Sequence, residues 1–284
     1  MTVNPCTIAP MSRADLDLAI DWAAAEGWNP GLNDAQAFLA QDPGGFLMAR
    51  VDGRPAASIS VVKYDGSYGF LGLYIAAPDF RGQGHGYQLW QAGMERLDGM
   101  VVGLDGVIAQ QDNYRRSGFV LAHRNIRYVA PTCPVIAMPD EAWRVPLERV
   151  PRDLLLAYDR QCFPGPRAAF LETWIGAPGH HGVGILADGR LKGYAVARPC
   201  RDGHKIGPLF ADDPGTAESL FLDLCMKVGT GKLFLDIPET NKEALSLVER
   251  FRMTPMFETA RMYRGPAPAV AEASIYGITS FELG

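Results

Sequence analysis

The sequence predicts an α/β fold built twice in tandem, and three observations predict it. The Gly-rich loop Arg81-Gly82-Gln83-Gly84-His85-Gly86 follows an apolar run ending at Ala76, and after it Leu89, Trp90, Gly93, Met94 and Leu97 recur at helical spacing. Two Asp-Gly pairs, Asp52-Gly53 and Asp188-Gly189, each lie between strand-like runs, the pattern of a tight hairpin. Downstream of each hairpin the same features return in the same order. An apolar strand carries Leu-Asp (Leu104-Asp105, then Leu235-Asp236), a polar helix follows, and a strand rich in Arg and Tyr closes the set (Arg127-Tyr128, then Arg261-Met262-Tyr263). An order kept twice at similar offsets marks an internal repeat.

In chain order, the first informative stretch is Asp21 to Gly31. Gly27, Asn29 and Pro30 stop a helix after Glu26, and Trp28 and Asn29 fall on the resulting loop, while Trp22 reads as core. The hairpin runs 46–51 and 57–64 come next, then the strand near 68–77. The loop at 81–86 turns successive backbone N–H groups toward one point at a helix N-terminus, an anion site suited to a pyrophosphate. Its glycines let the backbone approach phosphate oxygens closely. The alternative is a Gly-rich turn before a surface helix. A P-loop is excluded because Gly86-Tyr87-Gln88 stands where Gly-Lys-Ser/Thr is required, and a Rossmann fingerprint is excluded by the glycine spacing. Pro131, Pro134, Pro139, Pro146 and Pro151 mark a linker or edge connection between the halves. In the second half the counterpart of the loop reads Asp212-Asp213-Pro214-Gly215-Thr216-Ala217. Two carboxylates there occupy the helix dipole's anion site and repel a pyrophosphate. The chain ends on an apolar, strand-like stretch, Ile275 to Gly284, which predicts burial, although an edge strand ending in water is the alternative.

Arg81, Gly84 and Gly86 match the Q/R-x-x-G-x-G/A element of the GCN5-related N-acetyltransferases (GNAT), with Pro78 three residues ahead of Arg81. Tyr114-Arg115-Arg116-Ser117-Gly118-Phe119 resembles that family's Y-x-x-x-G-F segment. The chain therefore resembles two GNAT-like domains in tandem, each an α+β mixed sheet, over 1–130 and 151–284 with a linker at 131–150. The resemblance implies acetyl-CoA as co-substrate, held by Tyr74, Ile75 and Ala76 of the strand and by Arg81, Gly82, Gln83, Gly84, His85 and Gly86 of the loop. It implies Tyr114 as the acid that protonates the departing thiolate, a role suited to a phenol that stays protonated at neutral pH. The family's Asn seven residues before this Tyr is replaced by Val107. The second half keeps Asn241-x-x-Ala244 but has Val248 where the Tyr would fall and Arg252-Met253 in place of Gly-Phe. One CoA site is therefore expected, in the first half, with the second half in support.

In such domains the first helices border the acceptor, which points to Glu26, Trp28 and Asn29. The strand 68–77 has no carboxylate to serve as base. The candidates are Glu26, Asp21 or a group lent by the second half, including a carboxylate of the final segment at Glu282 or Gly284. His85 lies in the pyrophosphate loop and is set aside. The expected activity is acetyl transfer to a primary amine of a small molecule in a ternary complex. Transfer of a longer acyl group, acetylation of a protein Lys or N-terminus, and an acyl-CoA sensor are the alternatives.

The 284 residues suit two domains, and a net charge of −5 carries no nucleic-acid footprint. No leader or bilayer-length apolar run is read, and Cys6, Cys133, Cys162, Cys200 and Cys225 form no C-x-x-C, so a cytoplasmic protein with reduced thiols is expected. The only His pair, His180-His181, has no matching ligand cluster, and no metal is expected.

Overall fold

The computed structural model describes residues 6–133 and 143–284. The first half runs β1 (Cys6–Pro10), α1 (Arg13–Ala25), α2 (Asp34–Gln41), β2 (Phe46–Val51), β3 (Arg54–Lys63), β4 (Tyr68–Ala76), α3 (His85–Arg96), β5 (Val101–Val107), α4 (Gln111–Arg116) and β6 (Val120–Ala130). The second runs β7 (Arg144–Pro146), α5 (Arg152–Cys162), α6 (Ala168–Ile175), β8 (His181–Ala187), β9 (Arg190–Pro199), β10 (His204–Ala211), α7 (Pro214–Val228), β11 (Leu233–Pro238), α8 (Lys242–Arg250), β12 (Thr254–Arg264) and β13 (Ile275–Gly277). Both predicted hairpins form, and φ is positive at Asp52, Gly53, Asp188 and Gly189, as a two-residue primed turn requires. Pro134 and Pro139 lie outside the described residues; Pro146 ends β7, which pairs with β8, and Pro151 caps α5.

All strands join one mixed sheet in the order β1-β2-β3-β4-β5-β12-β6-β11-β10-β9-β8-β7, with β13 against β10. The two halves exchange their last long strands: β12 pairs with β5, and β6 pairs with β11. The repeated sequence features meet across the exchange. Arg127 on β6 clasps Asp236 on β11 with Nε and a terminal nitrogen at 2.6 and 2.8 Å, and Arg261 on β12 clasps Asp105 on β5 at 2.8 and 2.6 Å. Each Leu-Asp strand thus receives the Arg of the other half.

Both pairs are shut away from solvent. Burial presses the Asp236 carboxyl upward, but the charge and hydrogen bonds of Arg127, with the nearby charges of Lys205 and Arg198, outweigh it and hold the group below the usual carboxylate range.

One core is shared by the halves, with Leu16, Phe38, Phe163, Trp174 and Leu283 among its members, and Phe38 stacks on Trp174 at 6.4 Å between centroids. A second core packs α3 and Tyr114 on β3–β5, and a third packs α7 and α8 on the second half.

Candidate active site

β4 and β5 run parallel and pair only from Tyr68–Leu71 against Val101–Leu104. Beyond that they part, and the β5-facing edge of β4 from Gly72 onward is left without a ladder. The register of β4 against β3 shifts between Ser58 and Ser60, and Leu73 there has a positive φ of 45°. This bulge re-aims the strand where it leaves β5. A cavity of about 390 Å³ fills the opening. Its walls are residues 71–76 of β4, residues 104–107 of β5, Arg81, Gln110 and Tyr114, together with Glu26 and Trp28 from the loop after α1.

The predicted residues divide by position. Tyr74, Ile75, Ala76, Arg81, Tyr114, Glu26 and Trp28 meet at this cavity. Burial, with Tyr74 nearby, pushes the Tyr114 phenol up to about 12, so it stays protonated at neutral pH. Its ring stacks on Trp90 at 5.7 Å, which fixes its direction. The loop residues Gly82, Gln83, Gly84, His85 and Gly86 lie just outside, at the start of α3. Gly84 caps α3 with φ 87° and Gly82 has φ 73°. Only a glycine adopts these angles without strain, and they leave the first-turn N–H groups of α3 pointing outward. Gly86 sits against the Tyr74 hydroxyl, so loop and cavity are contiguous. The loop cradle and the parted strands fit a pyrophosphate followed by an extended thioester arm. Arg81 donates to the Ala76 carbonyl at 3.0 Å and pairs with Glu26.

Three expectations need correction. Asn29 does not reach the cavity: its side chain donates to the Asp202 carbonyl at 2.9 Å and accepts from the Asp202 N–H at 3.1 Å, so it ties the loop to the second half. Asp21 pairs with Arg201 on the surface. Gly284 lies beside Phe70 and Phe163 in a separate small cavity, not in the one that holds Tyr114. His85 is buried and edge-on to Phe80, outside the cavity lining.

Of the remaining wall only Glu282 was expected, as a carboxylate lent by the final segment; Phe257, Thr259 and Phe281 escaped the sequence reading because they come from far along the chain. Phe257 and Thr259 of β12 and Phe281 and Glu282 of the final segment complete it. The exchange of β12 brings the first pair. For the second, the chain leaves β13 and crosses to the first half, where Tyr64 donates to the Leu283 carbonyl at 2.5 Å and Ser60 to that of Glu282 at 3.4 Å. The tail lies so close on β4 that a Cβ at Gly72 would collide with the Glu282 backbone. The apolarity of 275–284 was the available signal.

Among the described residues, the corresponding opening of the second half is filled. β10 and β11 also part after Ile206–Leu235, but β13 fills the gap, pairing with β10 at Leu209–Gly277 and Phe210–Ile275. Asn241, the family-like residue of that half, holds the plug by donating to the Ala273 and Ile275 carbonyls at 3.1 and 2.9 Å. Asp213 caps α7 by accepting from the Thr216 N–H at 2.9 Å. That backbone hydrogen bond leads the influences that hold the Asp213 carboxyl below the usual range.

An Acetyltransferase (GNAT) family profile matches residues 15–119, and an Acetyltransferase (GNAT) domain profile matches 155–277. A holothin acyltransferase of Pseudoalteromonas sp. (strain SANK 73390) is 32% identical over 279 residues, spanning 98% of this chain and 94% of its own. The chain belongs to the GNAT family. It is a tandem GNAT acyltransferase, and acyl-CoA is its donor class. Solved structures share the fold. A Pyrococcus horikoshii protein assigned provisionally as an acetyltransferase superposes with a TM-score of 0.84 at 22% identity, covering 100% of this chain and 98% of its own. A tandem GNAT protein from the clavulanic acid biosynthesis pathway gives 0.63 at 14% identity, covering 93% and 100%. Among the described residues no helix is long and apolar enough to cross a membrane, and no cluster of His, Cys, Asp or Glu could hold a metal ion.

Proposed function

We propose that this GNAT protein transfers acetyl from acetyl-CoA to a primary amine of a small molecule, in a ternary complex formed at the first half. The observation that carries the reading is the parting of β4 from β5 with Tyr114 on the cavity between them. The pyrophosphate lies on the loop at 81–86 and on the first turn of α3. The thioester enters between the strands, where N–H groups on the free edge of β4 polarise its carbonyl. The amine enters from the side walled by Trp28, Phe257 and Phe281. It attacks the carbonyl carbon, the C–S bond breaks with its electron pair on sulfur, and Tyr114 donates its proton there while taking up the proton that leaves the nitrogen. Positioning supplies most of the rate.

A cavity of about 390 Å³ walled in part by Trp28, Phe257 and Phe281 suits a small acceptor, and the second half's plugged opening supports a single donor site. The Pseudoalteromonas relative is named as an acyltransferase of holothin, which motivates testing longer acyl-CoA donors beside acetyl-CoA. The test is a thiol-release screen of purified protein with acetyl-CoA across small amines, amino sugars, polyamines and amino acids. Release with a small amine, with the N-acetyl product identified by mass, is the expected result. Tight acetyl-CoA binding without release for any amine would make the protein a sensor, and turnover confined to Lys peptides would move the acceptor to protein.

A further inference from the structure

Glu282 is the one charged side chain of the cavity lining with no hydrogen bond among the described residues, and the Arg127 charge lies near enough to interact with it. Its residue is 2% exposed, it lines the same cavity as Tyr114, and neither carboxylate oxygen has a hydrogen-bond partner among the described residues. The other charged groups of the lining are satisfied. Asp105 is clasped by Arg261, and Glu26 pairs with Arg81. A buried carboxylate that accepts no hydrogen bond is costly even with a cation nearby, so the fold retains a group whose hydrogen bonding an incoming donor would complete.

The structure also spends many contacts to keep that carboxylate in place. Arg167 donates to the Thr279 hydroxyl at 2.9 Å and Arg198 to the Thr279 carbonyl at 3.1 Å. The Leu283 N–H donates to the Ser280 hydroxyl at 3.1 Å, and the Arg127 guanidinium faces the Phe281 ring at 4.7 Å. Each side of Glu282 is thus pinned, and Gly72 lets the tail lie against β4, the strand that also carries Tyr74.

We infer that Glu282, carried from the end of the second half into the cavity of the first, is the catalytic residue that binds the acceptor as an ammonium and takes its first proton. This rests on the acyl-transfer reading above. Glu282 accepts one proton from R–NH3+ and leaves R–NH2. The nitrogen lone pair forms the C–N bond, the C–S bond breaks with its pair on sulfur, and Tyr114 gives its proton to that sulfur. The second proton of the nitrogen passes to the Tyr114 oxygen as the amide forms, which restores the phenol, and Glu282 releases its proton to solvent. The products are the amide, free thiol and one proton. The acceptor class follows: an alkylamine that is cationic in solution, carries no second charge, and has a flat apolar body to lie among Trp28, Phe257 and Phe281.

The test compares wild type with Glu282→Gln and Glu282→Asp, using 2-phenylethylamine as a cationic amine and hydroxylamine as a nucleophile already neutral at pH 7.5. Calorimetry with coenzyme A present measures 2-phenylethylammonium binding without any turnover. The expected results are binding at least ~10-fold weaker in Glu282→Gln and turnover of 2-phenylethylamine down ~10²-fold, the scale of a lost positioned base. That loss shrinks as pH rises toward the amine's own pKa, the Asp variant retains part of the activity, hydroxylamine turnover changes less than threefold, and acetyl-CoA affinity is unchanged. Equal loss with both nucleophiles would make Glu282 structural and overturn the inference. So would ammonium binding in wild type no better than in Glu282→Gln, whatever the turnover. If wild type binds the ammonium through Glu282 yet releases no thiol, the acyl-transfer reading fails and the site remains.

Discussion

Tyr114 shows what a single residue contributes. Its phenol is pushed up to about 12 by burial, well above a coenzyme thiol if that resembles an ordinary cysteine at about 8.5. A free-standing proton transfer to the thiolate would run uphill. Donation to sulfur has to be coupled to uptake of the proton leaving the nitrogen, so that no phenolate accumulates. Tyr114→Phe should therefore keep the fold and the acetyl-CoA affinity while lowering kcat by ~10²-fold. Steady-state rates beside a donor titration check this, and unchanged kcat would remove the hydroxyl from the chemistry. Arg127 acts at one remove. It clasps Asp236, donates to the Trp28 carbonyl at 2.6 Å and faces Phe281, so two walls of the acceptor side hang on one guanidinium. Arg127→Lys keeps the charge but loses the fork. We expect it to raise KM for the amine several-fold with the acetyl-CoA Kd unchanged.

At the scale of elements, the loop at 81–86 and its degenerate counterpart differ by what stands at the helix N-terminus. Gly84 caps α3 through a conformation closed to most residues, whereas Asp213 caps α7 with its own side chain. Gly84→Asp combines strain with a carboxylate at the phosphate position, and should reduce acetyl-CoA affinity at least ~10-fold. Titration calorimetry should give one donor site per chain in wild type and little binding in the variant; two sites would mean that β13 does not close the second opening. These local features were legible in the sequence because turn glycines, Asp-Gly pairs and helical spacing act over a few residues. The hairpins and the strand–loop–helix unit were readable for that reason, whereas Tyr114 was singled out by the resemblance of its segment to a family motif. The bulge at Leu73 and the plug at β13 were not, since each depends on which strand lies alongside. Asn29 misled because an exposed amide on a loop looks the same whether it faces a substrate or, as here, the Asp202 backbone.

Across the whole molecule, the repeat was readable but its meaning was not. Similar strands in tandem suggest two separate sheets, and nothing local tells β6 to pair with β11 or β12 with β5. The exchange also explains why the acceptor wall could not be assembled from the first half alone, since four of its residues lie beyond position 256. Acid should loosen this assembly. Burial, with Arg261 and Arg198 nearby, lowers His123 and His180 from 6.5 to about 4 each. The unfolded chain therefore binds more protons than the folded one between those values, and stability should fall as pH drops from about 6.5 to about 4. Urea midpoints across that range measure it, and a flat profile would contradict the burial of both rings.

The reciprocal ion pairs make a sharper prediction about how the halves cohere. Removing one partner of a buried pair strands the other charge and costs about 3–5 kcal/mol, whereas replacing both with apolar groups of similar volume is often neutral. Asp236→Leu alone should therefore lower stability by about that amount, and Arg127→Met with Asp236→Leu should recover most of it, as read from urea unfolding with unchanged m. The recovered double variant still lacks the donor to the Trp28 carbonyl and the cation over Phe281. It should bind acetyl-CoA as wild type does and show a raised KM for the amine. Full recovery of amine turnover would mean that the pair serves folding alone. Stability that stays low in the double variant would mean that the exchange depends on the charges themselves rather than on the packing around them.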